Sequence, residues 1–401
     1  MTTHKAICVL NMQGGFGGAE KRYISLFNHL INSRSDFVLI INRSLFDLMR
    51  RNGLLQSTAN VIVVNQLRPK KKKSSSAVSA SNGKGRKKRS KGHVWQWPGK
   101  VKCFLRNVID WILLAVTFIS VHHKYKFTAL YGVWQGGIWT WPLCRLLGIP
   151  FIYSVNSNNK HFWHRSVNQF FNSQYWVMNH ADKLDFLSTR LVTAYRHIGM
   201  NVPDEKITVT PNSFVDYRPY YAEHPKEPWV VFMARLVPLK NPMLMLEAIK
   251  VFQMKYPGMS QVRFYFMGGG MLMADMKKYI ARHQLRKVIM DGIDMEPWLI
   301  LRKSSVFVSI QQTENYPSQA LLEAMAAENA TVASDVGDTR QLVTEAEGIL
   351  VQFDASTVAG AIYQLLANPE ECHQKGHRAR KKVMTNHTIQ HFSAYFLSLF
   401  D

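Results

Sequence analysis

Residues 306–333, VFVSIQQTENYPSQALLEAMAAENATVA, hold the alternation that decides the fold. Residues 306–309 form a short apolar run, as expected of a parallel strand buried on both faces. A polar segment follows, in which Pro317 and Ser318 stand where a helix opens, proline near the first turn and serine as the cap. Leu321, Leu322 and Met325 then mark a buried helical stripe, and residues 331–333 are strand-like again. Strand, helix and strand within 28 residues make a βαβ unit, which requires a parallel sheet.

The same rhythm extends in both directions. In the second half, residues 229–233, 262–267, 288–290, 306–309, 331–333 and 349–351 read as six strands separated by helical stretches. In the first half the strand candidates are 6–10, 37–41, 61–64, 129–133, 151–155, 184–187 and 207–210. Ile24, Phe27, Leu30 and Ile31 recur at helical spacing between the first two, and Val101, Phe104, Val108, Ile112, Ala115 and Ile119 do so later. A chain of 401 residues with 47% hydrophobic content has the length for two such α/β domains. Pro203, Pro211, Pro219, Pro225 and Pro228 interrupt regular structure between them. The expected organisation is therefore a Rossmann-like domain over 1–210, a second over 211–385, and a helix over 386–401 packing back on the first. Doubly wound sheets bind ligands at the carboxyl ends of their strands, here the cleft between the domains.

Charge is distributed unevenly. Lys and Arg number 50 against 27 Asp and Glu, a net +23, and residues 68–102 alone hold 13 Lys or Arg and no acid. The body is only moderately basic. The Lys-rich insertion over 68–100, rich also in Ser and Gly, cannot bury enough apolar surface to offset its ordering entropy. It reads as a flexible arm, either inert, or a grip on an anionic membrane surface or on nucleic acid. Its Lys-rich run, 70–92, has no aromatics for base stacking, so nucleic acid is disfavoured. Four scattered cysteines suggest neither a disulfide framework nor a zinc site, and a reducing compartment is expected. The opening MTTHKAICVLN lacks the pattern of a secretory signal. In the most hydrophobic stretch, 108–121, Asp110 leaves an uncharged run of only 111–121, short of the roughly 20 residues that a spanning helix needs. No transmembrane segment is expected. The predicted location is the cytoplasm, with peripheral attachment to the cytoplasmic membrane face through 68–102.

Five stretches then occur in a recognisable order: QGGFGGAEKR at 13–22, TPNSFVD at 210–216, MARLVPLKNP at 233–242, FMGGG at 266–270, and TENYPSQALLEAMAAENATVASDVGDTRQLV at 313–343. Together they resemble the retaining glycosyltransferases of the GT-B fold, in the large group 1 (family 4) class. The resemblance spans almost the whole chain apart from the Lys-rich insertion. It implies two Rossmann-like domains facing across a cleft, and transfer of a sugar from a nucleoside diphosphate donor to a hydroxyl acceptor.

Such a donor leaves as a diphosphate, so the site must stabilise charge growing on the leaving oxygens. Arg235 and Lys240, at R-x-x-x-x-K spacing in the loop after the strand 229–233, suit that task; read without the resemblance they are a solvated pair. The resemblance places Glu323 on the ribose hydroxyls and Glu314 beside the donor sugar. Eight residues separate these glutamates here, against the family's usual seven, which leaves the placement of Glu314 to the structure. Tyr316, Pro317 and Ser318 lead into the intervening helix, whose N-terminal N–H groups form an anion site. Gly17 and Gly18, with Gly14 and Gly15, crowd the first strand-to-helix turn, where the resemblance implies contact with donor phosphate and acceptor; a purely structural tight turn is the other reading. No acidic residue ends the second strand, which disfavours an NAD enzyme. Gly268 completes the implied substrate-binding set. Asn156 ends the strand 151–155 where many relatives carry His, keeping hydrogen bonding but not proton transfer. His161 and His164 have no adjacent carboxylate cluster, and no D-x-D pair is present, so no metal is expected.

The resulting expectation is a metal-independent, retaining hexosyltransferase with no cofactor and a UDP-sugar as donor. Its acceptor is a hydroxyl, lipid-linked in one version, in polysaccharide, lipopolysaccharide or glycolipid synthesis. The rival reading is a weakly active GT-B scaffold that binds nucleic acid or a membrane surface through its Lys-rich arm.

Overall fold

The computed structural model describes residues 3–10, 18–34, 36–65, 97–156, 173–210, 217–221, 225–292 and 296–401. Gly14, Gly15, Gly17, His161, His164 and most of the Lys-rich insertion lie outside them. Thirteen strands are present among the described residues. They are β1 (His4–Val9), β2 (Phe37–Asn42), β3 (Val61–Val64), β4 (Phe127–Val133), β5 (Phe151–Val155), β6 (Lys183–Phe186), β7 (Ile207–Val209), β8 (Glu227–Met233), β9 (Arg263–Met267), β10 (Val288–Gly292), β11 (Ser304–Ser309), β12 (Ala330–Ser334) and β13 (Gly348–Val351). Every one falls on a run expected from the sequence.

The strands form two separate sheets, one in the order β3-β2-β1-β4-β5-β6-β7 and one in the order β10-β9-β8-β11-β12-β13. All pairs are parallel, with Ile7 of β1 level with both Leu39 of β2 and Tyr131 of β4. Parallel sheets are covered on both faces, which is why β2 is buried from end to end and reads as one apolar run. In each sheet the strand order reverses once, between β1 and β4 and between β8 and β11, and doubly wound sheets bind ligand at such points.

Helices α1 (Gly18–Ser33), α2 (Arg43–Arg51), α3 (Trp97–Tyr125) and α4 (Gln135–Leu147) cover the first sheet. The helix Ile389–Ser398 lies with them, since Ile389, Phe392, Phe396 and Leu399 join the core formed by Tyr23, Phe27, Phe37 and Leu39. Burying each phenylalanine stabilises that contact by about 1.5–3 kcal/mol. Polar bonds fix its orientation: the Tyr395 hydroxyl donates to Asp185 at 2.6 Å and Lys183 Nζ donates to the Leu399 carbonyl at 2.9 Å.

Helix α3 departs from the expectation at both ends and on one face. It is longer than the expected 101–121, and Leu105–Tyr125 is long and apolar enough to cross a membrane by length and composition, at 21 residues and mean hydropathy 1.4. Asp110, which shortened the stretch when read as sequence, is turned inward with Leu114 and Phe118.

Candidate active site

A cavity of about 390 Å3 opens where the carboxyl ends of the two sheets face each other. Gly18, Arg22 and Asn156 line it from the first domain; Arg235, Lys240, Gln311, Glu314, Tyr316, Pro317, Ser318 and Gln319 line it from the second. Eight of the expected site residues thus meet there. Gly268 and Glu323 do not line the cavity.

Arg235 and Lys240 sit on the loop that leaves β8, and that loop is held rigidly. A turn over Pro238–Lys240 ends at Asn241, whose side chain donates to the Ile310 carbonyl at 2.9 Å and accepts from Gln312 at 2.9 Å. Gly268 braces the loop from behind. Its φ of +136° is open to glycine alone, and a Cβ there would collide with the Ala234 carbonyl oxygen. Backbone bonds from Ala234 to Met267 (3.0 Å) and from Leu236 to Gly269 (2.9 Å) complete the brace. The FMGGG stretch therefore aims Arg235, and Gly268 is a supporting residue, not a residue of the cavity wall.

Lys240 is largely buried and donates to the Gln311 side-chain oxygen. Gln311 in turn donates to Asn315 at 2.7 Å, and Asn315 donates to Ser334 Oγ at 3.0 Å and accepts from Ser309 Oγ at 2.7 Å. Burial, and secondarily the charge of Arg235, lower the Lys240 pKa to about 8. Sequence reasoning missed Gln311 and Asn315, although polar residues just past the carboxyl end of a parallel strand, where doubly wound sheets bind ligand, were a readable signal.

The Glu314 carboxylate accepts from the backbone N–H groups of Tyr316 (2.9 Å) and Asp338 (3.0 Å) and pairs with Arg190 of the first domain at 3.3 Å. Burial raises its pKa, and the two backbone bonds oppose that rise. The helix Gln319–Ala326 opens after Ser318, whose side chain accepts from the Leu321 N–H as the expected cap. Ser318, Gln319 and Ala320, at the start of this helix, line the cavity opposite Gly18. A Cβ on Gly18 would sit 3.2 Å from Cβ of Gln319, so glycine allows the two domains to approach.

Glu323, one turn further along, is buried and already paired. Its Oε1 accepts from Lys21 of α1 at 2.6 Å and from Gln319 at 2.6 Å, making an ion pair that crosses the cleft. Lys21 was not singled out from the sequence, because nothing in a sequence reports a partner 302 positions away. Arg22, beside it, is buried, donates to the Asn156 side-chain oxygen and lies against the ring of Tyr23. Asn156 also donates to Ser154 at 2.9 Å.

The cavity therefore gathers Arg22, Arg235, Lys240 and a helix N-terminus around one carboxylate that is itself bonded, a field suited to an anion with several oxygens. Among the described residues no group of three or more His, Cys, Asp or Glu is placed to hold a metal ion.

Residues 216–382 match the family described as Glycosyl transferases group 1. Among curated proteins none matches in sequence. Solved structures resemble the chain over nearly its full length. The Anabaena protein HepE in complex with UDP-glucose has a TM-score of 0.72 at 16% identity, covering 98% of this chain and 99% of that one. The sucrose-phosphate synthase of Thermosynechococcus elongatus has 0.67 at 14%, covering 99% and 98%. The lipopolysaccharide outer core galactosyltransferase WaaB has 0.59 at 12%, covering 99% of each. Residues 216–382 thus resemble a glycosyl transferase group 1 domain, and the chain has the GT-B fold of two Rossmann-like domains.

Proposed function

We propose that the protein transfers a sugar from a nucleoside diphosphate sugar to a hydroxyl acceptor, with retention at the anomeric carbon and without a metal ion. The observation that carries this reading is the convergence of Arg235, Lys240 and the N-terminus of the Gln319–Ala326 helix on one interdomain cavity. These groups stabilise the charge that grows on the departing diphosphate, the part played elsewhere by a bound cation. A UDP-sugar is the donor favoured, because HepE, of the same fold, was crystallised with UDP-glucose.

Retention needs either a covalent sugar intermediate or attack from the face the phosphate leaves. Glu314 is the carboxylate in the cavity wall, and both of its oxygens are engaged by Tyr316, Asp338 and Arg190. That supports front-face transfer, in which the departing phosphate oxygen takes the acceptor proton. Glu323 takes the ribose hydroxyls once Lys21 releases it.

The test is turnover of UDP-, GDP- and ADP-sugars with and without EDTA. Donor-dependent sugar release or transfer that survives chelation is expected. Failure with every donor would overturn the enzyme assignment, and loss restored only by Mn2+ would overturn the metal-free one.

Lys240 gives the reaction a pH dependence. In the empty site it is charged below about pH 8 and neutral above. A diphosphate favours the charged form, so nucleoside diphosphate affinity should weaken as pH rises through that value, by up to about tenfold per unit. Binding at higher pH should take up a proton. Calorimetry in two buffers of different ionisation enthalpy measures both, and Lys240→Met should flatten the profile.

A further inference from the structure

Helix α3 carries two unlike faces. Asp110, Leu114 and Phe118 are turned into the first domain, at 3%, 1% and 1% exposure. On the opposite side Leu105, Val108, Ile109, Ile112 and Val116 recur at helical spacing and are exposed, Leu105 at 54%, Ile112 at 49% and Val116 at 65%. Only 17% of the helix's apolar window is buried. A contiguous apolar face of this length on a protein surface marks a contact with another phase or partner.

The charges around that face choose the partner. Within α3, Lys100, Lys102, Arg106 and Lys124 stand against the single acid Asp110, and Asp110 is on the buried side. Residues 68–96, which precede the helix, hold 11 Lys or Arg and no Asp or Glu, and two tryptophans, Trp95 and Trp97, stand at the junction. An apolar face joined to a dense positive segment and tryptophan is the chemistry of an anionic lipid surface.

The helix lies on the bilayer and does not cross it. The 21 residues Leu105–Tyr125 rise about 31 Å, enough to span. Yet α3 connects β3 to β4, and both strands belong to one sheet with β2 and β1 between them. Insertion would put the helix's two ends on opposite sides of the membrane and tear that sheet apart, and would expose Asp110 to hydrocarbon. Helix α3 ends at Tyr125, directly before β4 starts at Phe127, so it comes back along the sheet from the other end of the strands and its exposed first half stands towards the cleft end of the domain.

We propose that α3 docks this protein on an anionic bilayer through Leu105, Ile109, Ile112 and Val116, with the basic segment over 68–102 adding electrostatic attraction, so that the cleft opens towards acceptors held in the membrane. The membrane contact does not depend on the sugar-transfer reading.

Flotation of the full chain with vesicles of mixed phosphatidylcholine and phosphatidylglycerol tests it. The parent should float with these vesicles, more weakly at high salt, and much less with phosphatidylcholine alone. Ile109→Glu, Ile112→Glu and Val116→Glu together should reduce flotation by at least about tenfold, with the unfolding temperature and the hydrolysis of soluble donor unchanged. If that variant does not fold, Ile112→Ser with Val116→Ser serves in its place. Equal flotation of parent and variant overturns the proposal, as does equal flotation on neutral and anionic vesicles, or none. A parent that light scattering shows to be a dimer, and that the same substitutions render monomeric, also overturns it, because a second copy would then cover the face. Loss of flotation with donor hydrolysis intact separates this result from any failure of the enzyme assignment.

Discussion

Arg235→Ala and Lys240→Ala should each lower kcat by on the order of 100-fold or more, with circular dichroism and unfolding temperature close to the parent's. The reason is where their charge acts. Both face the cavity from a loop already fixed by Asn241, Gln312 and the glycine brace, so removing either side chain leaves the loop in place. What disappears is a cation preorganised for oxygens that become more negative as the sugar departs. Lys240 is the more instructive of the two, since burial lowers its pKa to about 8 and a neutral amine could not play this part. A rise in KM with kcat unchanged would show instead that these residues bind ground state and transition state equally.

The second large effect is at a residue outside the cavity wall. Gly268→Ala should destabilise the second domain by about 3–5 kcal/mol, adding the strain of a φ that side chains avoid to a collision with backbone that cannot rotate away. The protein that still folds should show lowered kcat, because relief of the clash shifts Ala234 and with it Arg235. Thermal unfolding and steady-state kinetics on the same preparation measure the two effects. A stable Gly268→Ala variant with parental kcat would mean that the β8 loop is not held from behind. By contrast Gly258, beside which a Cβ meets open space, should accept alanine with little change.

The strands were legible because parallel strands, covered on both faces, are largely apolar; β2, apolar from Phe37 to Ile41 and buried throughout, is a plain example. The loop carrying Arg235 and Lys240 was legible for a different reason: it follows a readable strand and its residues match a motif. Bonds between distant parts of the chain were not. Lys21 with Glu323 and Arg190 with Glu314 are surface-looking charges in sequence and become partners only when the two domains face each other. Gly268 entered the substrate-binding set through the resemblance alone, and its bracing of the loop shows only once Ala234 is placed behind it. Helix α3 extends past the uncharged run 111–121 because Asp110 is turned inward, and a sequence does not say which way a lone Asp turns.

The return of the last helix to the first domain has a mechanical consequence. The chain passes between domains once before β8 and again at His387 and Thr388, between the helices Pro369–Asn386 and Ile389–Ser398. A single tether would let one domain swivel freely about the other. Two tethers act like the two pins of a door: rotation about the line joining them stays cheap, while twisting across it strains both segments. Opening of the cleft is thereby confined to nearly one degree of freedom, and each closure returns Arg235 and Lys240 to the same register against Gly18 and Asn156. Cutting the chain at 387–388 would leave every cavity residue present and remove that guidance.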